Sequence, residues 1–322
     1  MTGRPSLPIP LLVILGATAV GKTDLAITLA QRLNGAIIGA DSRQIYRYMD
    51  IGTAKPTLEQ RAAAPHHLLD IADPDEEVSL ARYLRSAASA IESVASQGQL
   101  PILVGGTGQY ITALVEGWTP PEVPPDPVRR AALEAEAAAV GVPALHRRLA
   151  QIDPQAATLM DAGNLRRIIR ALEVIEATGQ LFSAQRAKSP PPYRLRLLGL
   201  TMDRDRLRER ASRRLDHMMD AGFLDEVRAL LARGCSRRLP SMSAVGYGQL
   251  AAHLLDDLPL DEAVSQAKTA THAFIRRQLS WFRGHDQGVL WHNMESLEPE
   301  ALAAETAVWL RANAGQPPPQ GA

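Results

Sequence analysis

Pro8-Ile-Pro-Leu-Leu-Val-Ile-Leu-Gly-Ala-Thr-Ala-Val-Gly-Lys-Thr23 decides how the rest of the chain is read. Leu11 to Leu15 is an unbroken apolar run, the pattern of a strand buried on both faces. Gly16, Ala17, Thr18, Ala19, Val20, Gly21, Lys22 and Thr23 then satisfy G-x-x-x-x-G-K-[ST] at every fixed position. Asp24 to Leu33 follows as a helix, with Leu25, Leu29 and Leu33 on one face. Strand, glycine loop and helix in that order predict a phosphate-binding loop rather than an inert turn. Loop N–H groups and the positive end of the helix cradle phosphate oxygens. Lys22 supplies a point charge to the terminal phosphates, and the Thr23 hydroxyl is the expected ligand for Mg²⁺. The loop does not say which phosphate ester it holds.

Working outward, three more strands are expected: Gly35 to Ala40, His66 to Ile71 and Leu100 to Val104. An amphipathic helix over Ser79 to Gln97 lies between the last two. Helices alternating with short apolar strands imply a parallel sheet with right-handed crossovers. Ligands in such folds sit at the carboxyl ends of the strands, where the phosphate loop, Asp41 and Thr107 all fall.

The composition changes at Trp118, with five prolines between residues 120 and 127. Helices are then expected over 127–140, 142–152 and 154–178, the last broken at Gly163. Arg194 to Thr201 reads as a strand again. After Asp203 helices are expected over 203–221, 222–233 and 261–283, then a strand at 289–291 and a helix at 298–312. The tail from Gly315 is expected to be disordered. The fold class is therefore α/β: a P-loop core with a parallel sheet flanked by helices, plus an inserted all-helical domain. The expected bounds are 1–120 for the first part of the core, 121–189 for the insertion and 190–322 for the second part of the core with its basic helices.

The 322 residues carry equal numbers of basic and acidic side chains, so net charge favours no partner. Its distribution says more. Residues 1–120 carry a net charge of −2, and residues 160–290 carry +6. Of the 35 basic residues, 31 are Arg, whose planar fork binds phosphate oxygens in pairs. A GC-rich genome would also enrich Arg. Arg210 and Arg214, at i and i+4, share a helix face and call for a nearby anion or for acidic partners on that helix. No apolar run is long enough for a membrane span. The single cysteine, Cys235, excludes an internal disulfide and suits a reducing cytosol, so a cytoplasmic location is expected.

Other residues allow more than one reading. Asp41 can ligate Mg²⁺ through water, act as a general base, or cap a turn. Thr107, in Gly-Gly-Thr-Gly, can meet a ligand or cap the next helix. Asp70, after Leu68-Leu69, is placed like the second Mg²⁺ acid of a nucleotide hydrolase. His66 and His67 point to opposite faces of a strand, which disfavours a shared ion. Trp281 and Phe282 can stack on a base or pack in the core.

The stretch Asp41-Ser-Arg-Gln-Ile-Tyr-Arg-Tyr-Met-Asp-Ile-Gly-Thr-Ala-Lys-Pro56 closely resembles the signature of the tRNA dimethylallyltransferase (isopentenyl-tRNA transferase) family. So do His66–Ile71, Pro101–Tyr110, Arg170–Val174, Val245–Tyr247 and Arg277–Trp281, in the family's order. The resemblance implies transfer of a dimethylallyl group from its diphosphate to N6 of adenine at position 37 of tRNA, beside the anticodon. It implies that the loop from Thr18 to Thr23 holds dimethylallyl diphosphate with Mg²⁺, not ATP. It makes Asp41 the base, places Thr107 near the reacting atoms and sets Arg210 beside the leaving diphosphate. It assigns tRNA contact to Asp41, Ser42, Arg43 and Gln44. It also assigns such contact to Arg166, Arg167, Ile168, Ile169 and Arg170, and to Arg276, Arg277, Gln278, Trp281 and Arg283. The insertion would grip the anticodon stem-loop. The chain departs from the family at Ala17, where Pro is common, at Ser243 and Gly248, where basic residues are frequent, and at His272, where Arg is usual. The implied partners are tRNA and dimethylallyl diphosphate; a monomer is expected, with no membrane partner, although the sequence itself does not fix the oligomeric state. Three rivals stand beside this: an enzyme that prenylates free adenine nucleotides, a P-loop nucleoside or nucleotide kinase, and an RNA-binding nucleotide switch.

Overall fold

The structure, a computed structural model, describes residues 8–185 and 187–312. The tail from Gly315 lies outside the described residues. In order, the first part of the chain forms β1 (Ile9–Gly16), α1 (Lys22–Leu33), β2 (Gly35–Ala40), α2 (Leu58–Ala63), β3 (His66–His67), α3 (Leu80–Ser96), β4 (Leu100–Gly105) and α4 (Gly108–Val115). A helical stretch follows, with β5 (Trp118–Thr119), α5 (Pro127–Val140), α6 (Val142–Ile152), α7 (Pro154–Thr158), α8 (Leu165–Thr178) and β6 (Ala187–Lys188). The last part comprises β7 (Tyr193–Thr201), α9 (Arg204–Asp220), α10 (Phe223–Ala232), α11 (Tyr247–Leu255), α12 (Leu260–Arg283), β8 (Val289–Asn293) and α13 (Pro299–Ala312).

Six strands form one sheet in the order β3-β2-β4-β1-β7-β8, and every pairing in it is parallel. β1 is central, and Leu11 to Ile14 are fully buried, as a strand covered on both faces by helices requires. Its neighbours are set by register: Leu12 lies opposite Ile102 of β4 and Arg196 of β7. The carboxyl ends of β1, β2 and β4 therefore open toward the same end of the sheet.

The chain divides into two compact units: one from the chain up to Thr112 and from Pro192 onward, the other from Ala113 to Pro191. The helical unit thus begins eight residues before the expected start. In it β5 pairs with β6, Trp118 opposite Lys188, and Lys188 Nζ reaches the Glu116 carboxylate. Its core is built from Leu133, Leu145, Leu149, Ile168 and Leu172. The expected helix 154–178 is two helices. Asn164 Oδ1 accepts the Arg167 N–H and starts α8 afresh.

The third strand is shorter than expected. Only His66 and His67 lie in the sheet. Leu68 and Asp70 adopt φ of 64° and 56°, which turns the backbone out of the β region. The Ile71 N–H then donates to the Ile45 carbonyl at 2.8 Å. This exit fixes where Asp70 ends up.

Candidate active site

The loop after β1 folds as the motif requires. Gly21 takes φ 106° and α1 begins directly at Lys22. Lys22 Nζ donates to the carbonyls of Gly16, at 3.0 Å, and Ala17, at 2.8 Å. Burial pushes its pKa down to about 8; Asp41 opposes that shift and Arg214 adds to it. Thr23 follows on the same wall of the cavity.

Asp41 stands just past β2. Its Oδ1 accepts the Arg43 N–H at 2.8 Å, which shapes the turn at 41–44. Thr107, past β4, donates its N–H to the Ala40 carbonyl, and its Oγ1 accepts the Ser42 N–H at 2.9 Å. These bonds lock the ends of β2 and β4 into one ledge carrying Asp41. Arg214 of α9 donates to Thr18 Oγ1. Burial lowers the Arg214 pKa, and Asp41 offsets part of that loss. A β-carbon on Gly21 would lie 3.8 Å from the Arg210 guanidinium, so Arg210 sits at the loop as well. Arg210 and Arg214 thus share the helix face that their spacing predicts.

Two cavities meet here, of about 1230 Å³ and about 340 Å³. The larger is lined by Lys22, Thr23 and Arg210. The smaller is lined by Thr107, Arg277 and Trp281. Thr18, Asp41, Thr53, Arg214 and Met218 border both. A carboxylate thus lies on the wall between a cavity lined by the basic side chains of Lys22, Arg210 and Arg214 and a smaller one of a size for a base.

Several expected contacts have other roles. Asp70 is not free for a metal: its two oxygens lie 2.6 Å from Lys55 Nζ and 3.1 Å from Arg61 Nη1. His66 Nδ1 donates to the Ala64 carbonyl at 2.8 Å. Among the described residues no group of three or more His, Cys, Asp or Glu could hold a metal. Ile168 and Ile169 are 0% and 4% exposed, so their side chains belong to the helical core and cannot touch tRNA. Arg166 and Arg167 are exposed. Arg170 is tied to Glu173, at 2.6 Å, and to the carbonyls of Pro121 and Val123. Gln278 is buried, and the Trp281 indole donates to Thr112 Oγ1 at 3.0 Å while stacking on His285. Phe282 is core. Arg276, Arg277 and Arg283 are exposed. Gln44 donates to the Thr53 and Ala54 carbonyls and braces the loop beside the site. Arg43 donates to Ser243 Oγ at 3.1 Å, so the serine that replaces a basic residue receives an arginine. His272 Nε2 lies 3.0 Å from Ser212 Oγ.

Glu226 is a residue that reading the sequence missed. Its carboxylate accepts the N–H groups of Asp50, Ile51 and Gly52 and the Tyr247 hydroxyl, at 2.7 to 3.1 Å. Burial and Glu226 push the Tyr247 phenol far up, which keeps it a donor. Gly52 admits no side chain, since a β-carbon would lie 2.0 Å from the Phe223 ring. The Ile51-Gly-Thr and Val245-Gly-Tyr motifs are therefore two halves of one joint. No local signal marks Glu226 as its centre.

The Lys22 shift predicts a pH dependence with a definite sign. Below about 8 the ammonium is charged and suits a phosphate ester. Above it, kcat/KM for a substrate whose phosphate this loop holds should fall about tenfold per pH unit, because that parameter reports the free protein. Lys22→Arg should abolish the inflection. A wild-type profile flat to pH 9.5 would contradict the shift. For stability the sign is reversed. The folded pKa of about 8 lies below the ordinary 10.5, so the charged form costs stability below 8 and the cost lifts across that interval.

Comparison with known proteins gives a consistent picture. A family model described as IPP transferase matches residues 44–285, and one described as isopentenyl transferase matches residues 9–71. The chain is 54% identical to a tRNA dimethylallyltransferase of Roseiflexus sp. (strain RS-1) over 275 residues, 85% of this chain and 90% of that protein. It is 48% identical to a tRNA dimethylallyltransferase of Chloroflexus aurantiacus over 281 residues, 87% of this chain and 95% of that protein. Among solved structures it is similar to the full-length tRNA isopentenylpyrophosphate transferase of Bacillus halodurans, with 40% identity and TM-score 0.69 over 94% of this chain and 96% of that one. It is also similar to a eukaryotic dimethylallyltransferase acting on tRNA, with 25% identity and TM-score 0.81 over 97% of this chain and 81% of that one.

Proposed function

The chain belongs to the IPP transferase family, that of the tRNA dimethylallyltransferases, and from that premise we propose how its site modifies tRNA. It is a prenyltransferase whose acceptor is tRNA. The donor is dimethylallyl diphosphate, and the acceptor atom is N6 of the adenine at position 37, beside the anticodon.

One observation carries this reading: Asp41 borders both the cavity with the phosphate loop and the cavity beside it. An exocyclic adenine amine is a weak nucleophile, because its lone pair is delocalised into the ring. It needs a strongly stabilised leaving group and a base. Lys22, Arg210 and Arg214 supply positive charge around the diphosphate. Asp41 takes the N6 proton as nitrogen bonds to the prenyl carbon and the carbon–oxygen bond to diphosphate breaks. Thr107 keeps the Asp41 turn in place through Ser42. The adenine must leave its stack to enter, which an unpaired loop allows most easily.

The Thr23 hydroxyl beside Lys22 fits Mg²⁺, which takes one or two protein oxygens and completes its shell with phosphate and water. Bound there, it would neutralise charge on the departing diphosphate. Exposed Arg166 and Arg167, and Arg276, Arg277 and Arg283, are assigned to the backbone of the anticodon stem-loop.

The test is incubation with dimethylallyl diphosphate, Mg²⁺ and either an anticodon stem-loop or AMP, read by nucleoside mass. One prenyl unit on the stem-loop adenine and none on AMP is expected. Prenylated AMP without stem-loop product would move the chain to free nucleotides. Phosphoryl transfer from ATP in place of either product would overturn the reading.

A further inference from the structure

Gln278 is 6% exposed on α12, an unusual place for an amide on a helix otherwise rich in charge. Both ends of that amide are engaged, and each holds a different loop. Oε1 accepts the backbone N–H of Thr18 at 2.8 Å. Nε2 donates to the Gly106 carbonyl at 2.8 Å. The orientation is unambiguous, because the Thr18 N–H can only donate and the Gly106 carbonyl can only accept. There is no slack around it either: a β-carbon on Gly106 would lie 2.4 Å from Nε2.

The two bonds connect the two halves of the site. Thr18 belongs to the phosphate loop and is gripped a second time by Arg214. Gly106 precedes Thr107, whose Oγ1 holds the Ser42 N–H beside Asp41. One turn further along α12, Trp281 is anchored to Thr112, so the helix that carries Gln278 is itself fixed.

We propose that Gln278 is a positioning residue for prenyl transfer, a strut that sets the distance between the phosphate loop and the ledge carrying Asp41. This rests on the prenyl-transfer reading above. The nitrogen attacks carbon as the carbon–oxygen bond to diphosphate breaks, so leaving group and base must be held on opposite sides of one reacting carbon. A spacing error of about 1 Å costs such a reaction about 10²-fold. Gln278 borders the smaller cavity, but both ends of its amide are taken by Thr18 and Gly106, and it acts through them.

Two variants of the full-length protein test it. Gln278→Met keeps the volume and removes both bonds. It should lower kcat about 10- to 100-fold, with the KM for the stem-loop within about threefold of wild type. Gln278→Glu keeps the acceptor for Thr18 but sets a carboxylate against the Gly106 carbonyl. Protonating that carboxylate restores the donor. Its kcat relative to wild type should therefore rise as pH falls from about 8 to about 6, a signature that loss of packing would not give. If Gln278→Met unfolds, the pH profile of Gln278→Glu decides alone. A Gln278→Met kcat within twofold of wild type, a raised stem-loop KM at unchanged kcat, or a pH-independent ratio for Gln278→Glu would overturn the proposal. A wild-type protein that binds the stem-loop and forms no prenylated adenine would instead remove the underlying reading.

Discussion

Asp41→Asn lowers turnover by about 10²- to 10⁴-fold while the affinity for the stem-loop stays within about threefold; this is the expected result. Asn is isosteric, and its side-chain oxygen can still accept the Arg43 N–H, so the turn at 41–44 keeps its shape. What is lost is the basicity. A second effect has to be separated from it. The Asp41 charge supports the protonated forms of Lys22 and Arg214. Without it the Lys22 pKa drops further, and diphosphate binding weakens near pH 8. Single-turnover rates measured at a pH well below 8, with saturating diphosphate, isolate the proton transfer. Near-normal turnover there would remove Asp41 from the chemistry and leave it as a turn residue.

The largest effect on stability is expected at Lys55. Its side chain is 1% exposed, and its ammonium donates to the Tyr46 carbonyl, to Asp50 and to Asp70, at 2.5 to 2.7 Å. Lys55→Met leaves the carbonyl and one oxygen of Asp70 without a donor. Removing one partner of a buried ion pair costs about 3–5 kcal/mol. Asp50 is 60% exposed and Asp70 34% exposed, and Asp70 keeps Arg61, so solvent screens part of the loss. About 3 kcal/mol is therefore expected, with Tm falling by about 5–10 °C. Lys188, paired with Glu116 at 60% exposure, is the control: Lys188→Met should cost under about 0.5 kcal/mol. Equal melting temperatures for the two variants would show that the Lys55 network contributes nothing.

These two residues illustrate how far the sequence could be read. The place of Asp41 at the end of β2 is legible because the signals around it are local: a short apolar strand and an acid directly after it. The phosphate loop and the neighbouring strands were legible for the same reason. Asp70 carried the same local signal and misled. Positive φ at Leu68 and Asp70 takes the chain out of the sheet and into the reach of Lys55 and Arg61. Gln278 and Arg214 contact Thr18 from 260 and 196 residues away, and no periodicity encodes such a meeting. Ile168 and Ile169 show the opposite failure. The family resemblance covers 166–170 as one segment, whereas helical spacing puts both on the apolar face with Leu172.

The interruption of the sheet has a consequence for synthesis. Ile9 of β1 lies opposite Tyr193 of β7, so the central strand waits for a partner that emerges roughly 180 residues later. At ribosomal speed that is roughly 10–40 s during which one edge of β1 stays open, with most of the helical unit already translated. An apolar strand with an unpaired edge is a template for aggregation. The nascent chain therefore has a window of vulnerability whose length is set by all the chain between the two strands, the first part of the core as well as the helical unit, and factors that shield the emerging chain should matter more for its yield than for its final stability.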